Sequence, residues 1–189
     1  MKFDQFKKVL VLGRAGIDIY PEPPGTKIAD VNHFSSHLGG SAANTCVALK
    51  QHGVQSDLVT CVSDDAIGEY IINKLENYGI GTEHCKKIDK SFQTQIAVVE
   101  TILKNNQSIL YRNNSCDLQL TNEMIEKINY GEYSALFISG TALSSEPSRS
   151  SVFLASKRAI EANIPQIIDL DYKPYNWESD EMKSVIYKK

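Results

Sequence analysis

Short apolar runs of strand length alternate along this chain with segments of helical period, and that rhythm restricts the fold more than any other feature. Val9–Leu12 is β-branched and apolar and stops at Gly13. Leu58–Val62, Ala135–Ser139 and Gln166–Leu170 have the same character. Between these runs, Ser41–His52 reads as a helix closed by Gly53. A second helix over about Ile67–Tyr78 puts Ile67, Ile71, Ile72 and Leu75 on one face and ends at Gly79. Ser63-Asp64-Asp65 supplies its N-cap candidates. Thr121 is placed to cap a short helix carrying Met124, Ile125 and Ile128, and Pro147 opens one that runs to about Ala162. Such alternation predicts an α/β fold whose mostly parallel sheet is covered on both faces.

Two stretches break the rhythm. Ile17–Tyr20 reads as a strand halted by Pro21-Glu22-Pro23-Pro24-Gly25, and Lys27–His37 as a further extended segment. Gln95–Leu103 and Ser108–Arg112 flank Lys104-Asn105-Asn106-Gln107 as a hairpin with a four-residue connection. The pieces within 17–37 and 85–112 are therefore expected to form a separate small sheet. Ligands of α/β sheets bind beyond the carboxyl ends of the strands, where Asp18, Gly140-Thr141 and Asp169–Lys173 fall. Gly39-Gly40 opens the first helix, removing Cβ atoms that would hold a ligand away and leaving N–H groups to meet an oxygen-rich one. Asp18 and Asn44 can bond hydroxyls, while Arg112 and Lys173 can hold an anionic group. Asp171 is either a further ligand or a local cap. Hydroxyl binders with two cations suggest a polyol or sugar that also carries a carboxylate.

Bulk properties remove several other classes. The 189 residues are 42% hydrophobic, enough for one packed domain or a large part of a bigger one. The net charge of −3 comes from interspersed acids and bases, with no basic stripe for nucleic acid and no cationic face for a membrane. The apolar runs are too short to span a bilayer, and the charged N-terminus has no signal-peptide core. Cys46, Cys61, Cys85 and Cys116 are scattered, so reduced thiols in the cytosol are expected. His33 and His37 would share a strand face, but no carboxylate completes a metal site.

Gly39-Gly40-Ser41-Ala42-Ala43-Asn44, with the upstream Gly13–Asp18 segment and Asp169-Leu170-Asp171-Tyr172-Lys173, resembles the ribokinase (PfkB) family of carbohydrate kinases. Leu12–Ala15, Val62–Asp65, Tyr111–Asn114, Ser139–Leu143 and Asp169–Trp177 are most similar to its branch acting on keto-sugar acids. The resemblance runs from Val9 to Trp177. It implies a ribokinase-like three-layer α/β/α domain with a β lid over the sugar, and ATP with Mg2+ for phosphoryl transfer. It also implies that Asp18, Gly39, Gly40 and Asn44 hold sugar hydroxyls, with Asp171 a further candidate. Arg112 and Lys173 would face a carboxylate, and two lids could pair into a homodimer. Lys173 stands where the branch has arginine, losing the two-pronged contact with a carboxylate, and Gly16 stands where a cysteine is usual. The family's Gly-Ala-Gly-Asp segment, whose aspartate takes the acceptor's proton, is absent from this sequence, as is its Asn-x-x-Glu motif. The chain is thus expected to be the N-terminal portion of a kinase, with the catalytic aspartate beyond Lys189. Alone, it is expected to be poorly soluble or to need a partner.

Overall fold

The computed structural model describes residues 7–172 together with Trp177 and Ser184. In chain order its main elements are β1 (Lys8–Leu12), β2 (Gly16–Glu22), β3 (His33–Gly39), α1 (Ser41–Gln51), β4 (Ser56–Ser63) and α2 (Ala66–Asn77). Then come β5 (Cys85–Ile88), β6 (Ile96–Val99), β7 (Ser108–Tyr111), α3 (Asn122–Glu126), β8 (Tyr133–Ser139), α4 (Ser148–Glu161) and β9 (Gln166–Asp169). A parallel five-stranded sheet runs β5-β4-β1-β8-β9, and a mixed four-stranded sheet runs β3-β2-β6-β7.

The central strands show why the large sheet is parallel and doubly covered. Val9 and Val11 enter one core with Leu58, Val62, Ala135, Ile71, Leu75 and the α1 face Ala42, Ala43 and Cys46. Leu10 and Leu12 enter the other with Val59, Cys61, Leu136, Ile138 and the α4 face Val152, Ala155 and Ala159. A strand that must be apolar on both sides loses the alternation of a half-exposed strand. β9 differs: Ile167 and Ile168 point to opposite faces, yet are 45% and 53% exposed.

The small sheet departs from its sequence reading in three ways. β5 belongs to the large sheet, pairing in parallel with β4 at Thr60↔Cys85, so the second lid segment begins only at β6. β2 runs on through Pro21 to Glu22, because its pairing with His33 and Phe34 of β3 continues past the proline. The connection between β6 and β7 is eight residues rather than four. Glu100 turns out of the strand there: its carboxylate accepts from Ile28 N at 2.8 Å and from Gln107 N at 2.9 Å. One buried side chain thereby ties the hairpin's mouth to the segment after β2.

Helix starts follow local chemistry. Asp65 Oδ1 accepts from Ile67 N and Gly68 N at 2.9 and 3.0 Å, and Ser63 Oγ donates to it at 2.7 Å. Burial works against the ionised carboxyl, but these three bonds outweigh it and hold the Asp65 pKa below 3.8. Thr121 sits at the expected cap position of α3, but its side chain makes no capping bond. No described helix is long and apolar enough to cross a membrane.

Replacing Asp65 with alanine is expected to cost about 1 kcal/mol of stability at pH 7, roughly 2–4 °C in melting temperature. A carboxyl with a lowered folded pKa stabilises above its unfolded value and loses that effect as pH falls through the folded one. The gap between wild type and Asp65→Ala should therefore close in acid, as thermal melts across pH would show.

Candidate functional site

Sheet order places a crevice between β1 and β8. From β1 the chain builds β4 and β5 on one side, and returns to add β8 and β9 on the other. That reversal point is where open α/β sheets accept ligands. Its floor is built by close approach. A Cβ on Gly13, whose φ is +151°, would lie 2.8 Å from Ser139 Cβ and 2.9 Å from Ala42 Cβ. The end of β1, the end of β8 and the start of α1 therefore meet at one residue without a side chain.

Ser139 joins two of the segments that the sequence placed at this edge, those of Thr141 and Asp171, to the start of α1. Its Oγ lies 3.0 Å from Ser41 Oγ and 2.9 Å from Thr141 Oγ1, and it donates to Asp171 Oδ2 at 3.4 Å. Asp171 is held at φ +40°, with its N–H donating to Asp169 Oδ1 at 3.0 Å. Non-glycine residues in this backbone region are uncommon and gather at constrained sites. Lys173 lies outside the described residues.

The glycine pair works differently from its sequence reading. Gly40 has φ +96°, and a Cβ there would overlap Arg14 O and sit 2.8 Å from Ala15 Cα. Arg14 O in turn accepts from Ala43 N at 3.2 Å, so that helix-start amide is engaged rather than open to a ligand. Gly39 is bare for a second reason: a Cβ on it would overlap the Asp18 carboxylate. The pair thus makes room for a chain crossing and for a carboxylate. Asn44 is exposed on the first turn of α1, its amide already bonded to Gly40 O at 2.9 Å.

Asp18 lies on β2 between His37 of β3 and Ala97 of β6. Burial raises its pKa above 3.8, against the lowering effects of the Arg14 guanidinium, a hydrogen bond with Tyr20, and His37. A half-buried carboxylate beside an arginine can grip a hydroxyl more firmly than a solvated one.

Arg112 is not a solvated cation awaiting an anion. Its side chain is 7% exposed, and Nη2 donates to Asp117 Oδ2 at 2.5 Å and to Thr141 O at 3.4 Å. Asp117, 3% exposed, is also bonded by Ser115 Oγ. The Arg112 Nε is buried with no hydrogen-bond partner. Asp117 carries no sequence motif, being only five residues downstream in a turn. Ser41, Ser139 and Arg14 were legible as parts of motifs but not as site residues. Gln95, buried at the foot of β6, gave no signal beyond being polar beside an apolar strand.

Comparison with known proteins gives this crevice a family. The model described as pfkB family carbohydrate kinase matches residues 7–188. The chain belongs to that family. A 5-dehydro-2-deoxygluconokinase from Photobacterium profundum is 34% identical over 178 residues, covering 94% of this chain and 54% of that protein. One from Geobacillus kaustophilus is 34% identical over 190 residues, covering 99% and 57%. The chain therefore spans a little over half the length of these curated relatives. An uncharacterized sugar kinase from Pyrococcus horikoshii, solved in complex with ATP, superposes with a TM-score of 0.80 at 26% identity, covering 94% of this chain and 58% of that one. The ribokinase-like α/β fold expected from the sequence is thus observed, and both extended sheets have their place in it.

Two substitutions separate the roles of the pfkB glycines. Gly40→Ala meets backbone atoms at a left-handed φ and should cost about 1–3 kcal/mol of stability. Gly39→Ala meets only a movable carboxylate. It should leave the fold close to wild type by circular dichroism and thermal melting while displacing the Asp18 carboxylate. The pH response of Asp18 has the opposite sign to that of Asp65. A raised folded pKa gives stability that is present below the unfolded value of 3.8 and lost as pH rises through the folded one. Asp18→Asn should accordingly melt above wild type at pH 7, with the advantage vanishing near pH 3.

Proposed function

We propose that this chain is the sugar-binding portion of an ATP-dependent kinase for a sugar acid, 5-dehydro-2-deoxy-D-gluconate in the breakdown of myo-inositol. The observation that carries the reading is the Asp18 carboxylate, seated over Gly39 at the end of β3 just before α1 begins. Relatives named for that substrate support it over nearly the whole chain.

In this reading Asp18 accepts hydrogen bonds from sugar hydroxyls, and Gly39 and Gly40 bring the backbone close beside it. Asn44 reaches the sugar from the first turn of α1, and Asp171 borders it from the strand end. Arg112 faces the carboxylate end, and Lys173 is the second cation that the family resemblance implies for it. ATP supplies the phosphoryl group, and Mg2+ would neutralise its charge. Among the described residues no group of three or more His, Cys, Asp or Glu is arranged to hold a metal ion. The chemistry of these residues is to hold and orient the acceptor. The catalytic aspartate belongs to the family's C-terminal portion, and the setting is cytoplasmic. Two lids pairing through β3 and β7, which expose Phe34 and Tyr111, would give a homodimer.

One observation favours a second reading. Asp117 already neutralises the Arg112 guanidinium, which suits a neutral ketose gripped mainly by hydroxyls; 2-keto-3-deoxygluconate, itself an acid, is the alternative that keeps the carboxylate. A non-catalytic sugar-binding protein is the remaining alternative.

The test is ATP turnover with 5-dehydro-2-deoxygluconate, 2-keto-3-deoxygluconate and fructose. It compares this chain alone with this chain joined to the C-terminal half of the Photobacterium profundum relative. Turnover of the first acid only in the joined protein, lost in Asp18→Ala, is the expected result. Preference for fructose would establish the neutral-sugar reading. No turnover with sugar binding retained in calorimetry would leave a binding protein.

A further inference from the structure

Gln95 is 2% exposed, and its Oε1 is buried with no hydrogen-bond partner. A buried acceptor without a donor loses its hydration for nothing in return, so such groups are rare and call for a physical reason. The main-chain carbonyl of Gln95 is engaged in the fold, accepting from Ile17 N at 3.0 Å. The puzzle is therefore confined to the side chain.

Register fixes where that side chain lies. Gly16 pairs with Gly39, and Asp18, two residues on, shares the face of Gly16. A Cβ on Gly16 would sit 2.8 Å from Gln95 O and 3.3 Å from both Cδ and Oε1 of Gln95. The two paired glycines thus form a patch of bare backbone with a carboxylate over one and a carboxamide over the other. Asp18 is the recognised half of this arrangement; Gln95 is its counterpart.

A second orphan lies beside it. β6 and β7 are antiparallel with Ile96 opposite Tyr111 as their last pair, and Gln95 and Arg112 are the residues just beyond it on the two strands. Arg112 Nε is itself buried without a partner. A buried acceptor and a buried donor thus lie at the same end of the hairpin, and neither satisfies the other. A hydroxyl can give its proton to Oε1, and that is the partner the carboxamide lacks.

We propose that Gln95 is a specificity-determining residue of the sugar site, its Oε1 accepting a hydrogen bond from one hydroxyl of the acceptor sugar. The inference rests on the sugar-binding reading above and adds to it a residue and a contact. It places Gln95 and Asp18 on one face of the small sheet. It also makes the orphaned carboxamide a cost borne by the free protein and relieved by ligand. A site built around a hydroxyl rejects the analogue that lacks it, because its own polar groups are then left unpaired.

The experiment measures melting temperature and calorimetric affinity for 5-dehydro-2-deoxygluconate, 2-keto-3-deoxygluconate and fructose. Wild type is compared with Gln95→Met, Gln95→Glu and Asp18→Ala. Methionine keeps the volume and removes the acceptor; glutamate keeps an acceptor. The expected result is that Gln95→Met melts higher than wild type without ligand and binds the best probe roughly 10- to 100-fold more weakly. Gln95→Glu should stay nearer wild type. Monodeoxy analogues of that probe supply a measurement on wild type alone: one of them should lose as much affinity as Gln95→Met does. Wild-type affinity in Gln95→Met, or equal binding of every deoxy analogue, overturns the assignment of Gln95 and leaves the sugar site standing. Undiminished binding in Asp18→Ala, or no binding of any probe by wild type, overturns the sugar site and this contact with it.

Discussion

The molecule depends on one crowded crossing, where β1, β8 and α1 meet with no room for a side chain on Gly13 or Gly40. Close-packed backbones fix relative position more tightly than long side chains can, because they leave nothing to rotate. From that point the large sheet extends in both directions and the lid strand β2 departs. The Ser41–Ser139–Asp171 hydroxyl chain spans the same crossing. The groups at this edge are therefore positioned by the main chain, and the polar side chains are hung on a frame already set.

Much of that frame could be read directly. Val9–Leu12 is apolar at every position because both of its faces are covered, and Gly53 and Gly79 closed their helices where expected. What escaped the reading was pairing. Cys85–Ile88 has no strong strand character, and joins the large sheet because β4 offers it a free parallel edge. Pro21 looked like a stop, yet β2 passes through it. Glu100 reads as an ordinary acidic residue, and only the fold shows two backbone amides converging on it.

The site divides in the same manner. Asp18, Gly39 and Gly40 were visible because motifs put them at a strand end and a helix start. The reason for Gly39 was not visible: its missing Cβ is occupied by a side chain twenty-one residues earlier. Arg112 was visible as a cation but not as a paired one, since Asp117 becomes its partner only through the turn after β7. Gln95 was hidden altogether, because one glutamine at a strand's foot differs from any other only in what surrounds it.

The clamp made by Glu100 bears on how the lid can move. With the β6–β7 mouth and the segment after β2 fastened to one carboxylate, the far end of the small sheet cannot fray strand by strand. Its four strands form a plate stiff at the tip and attached at the foot, where Gly13, Gly16, Gly39 and Gly40 gather. Any movement of such a plate as a unit would be a rotation about its base, where the bare backbone lies. Asp18 and Gln95 stand beside that base and would travel least. Residues at the tip, such as Glu100, would travel most.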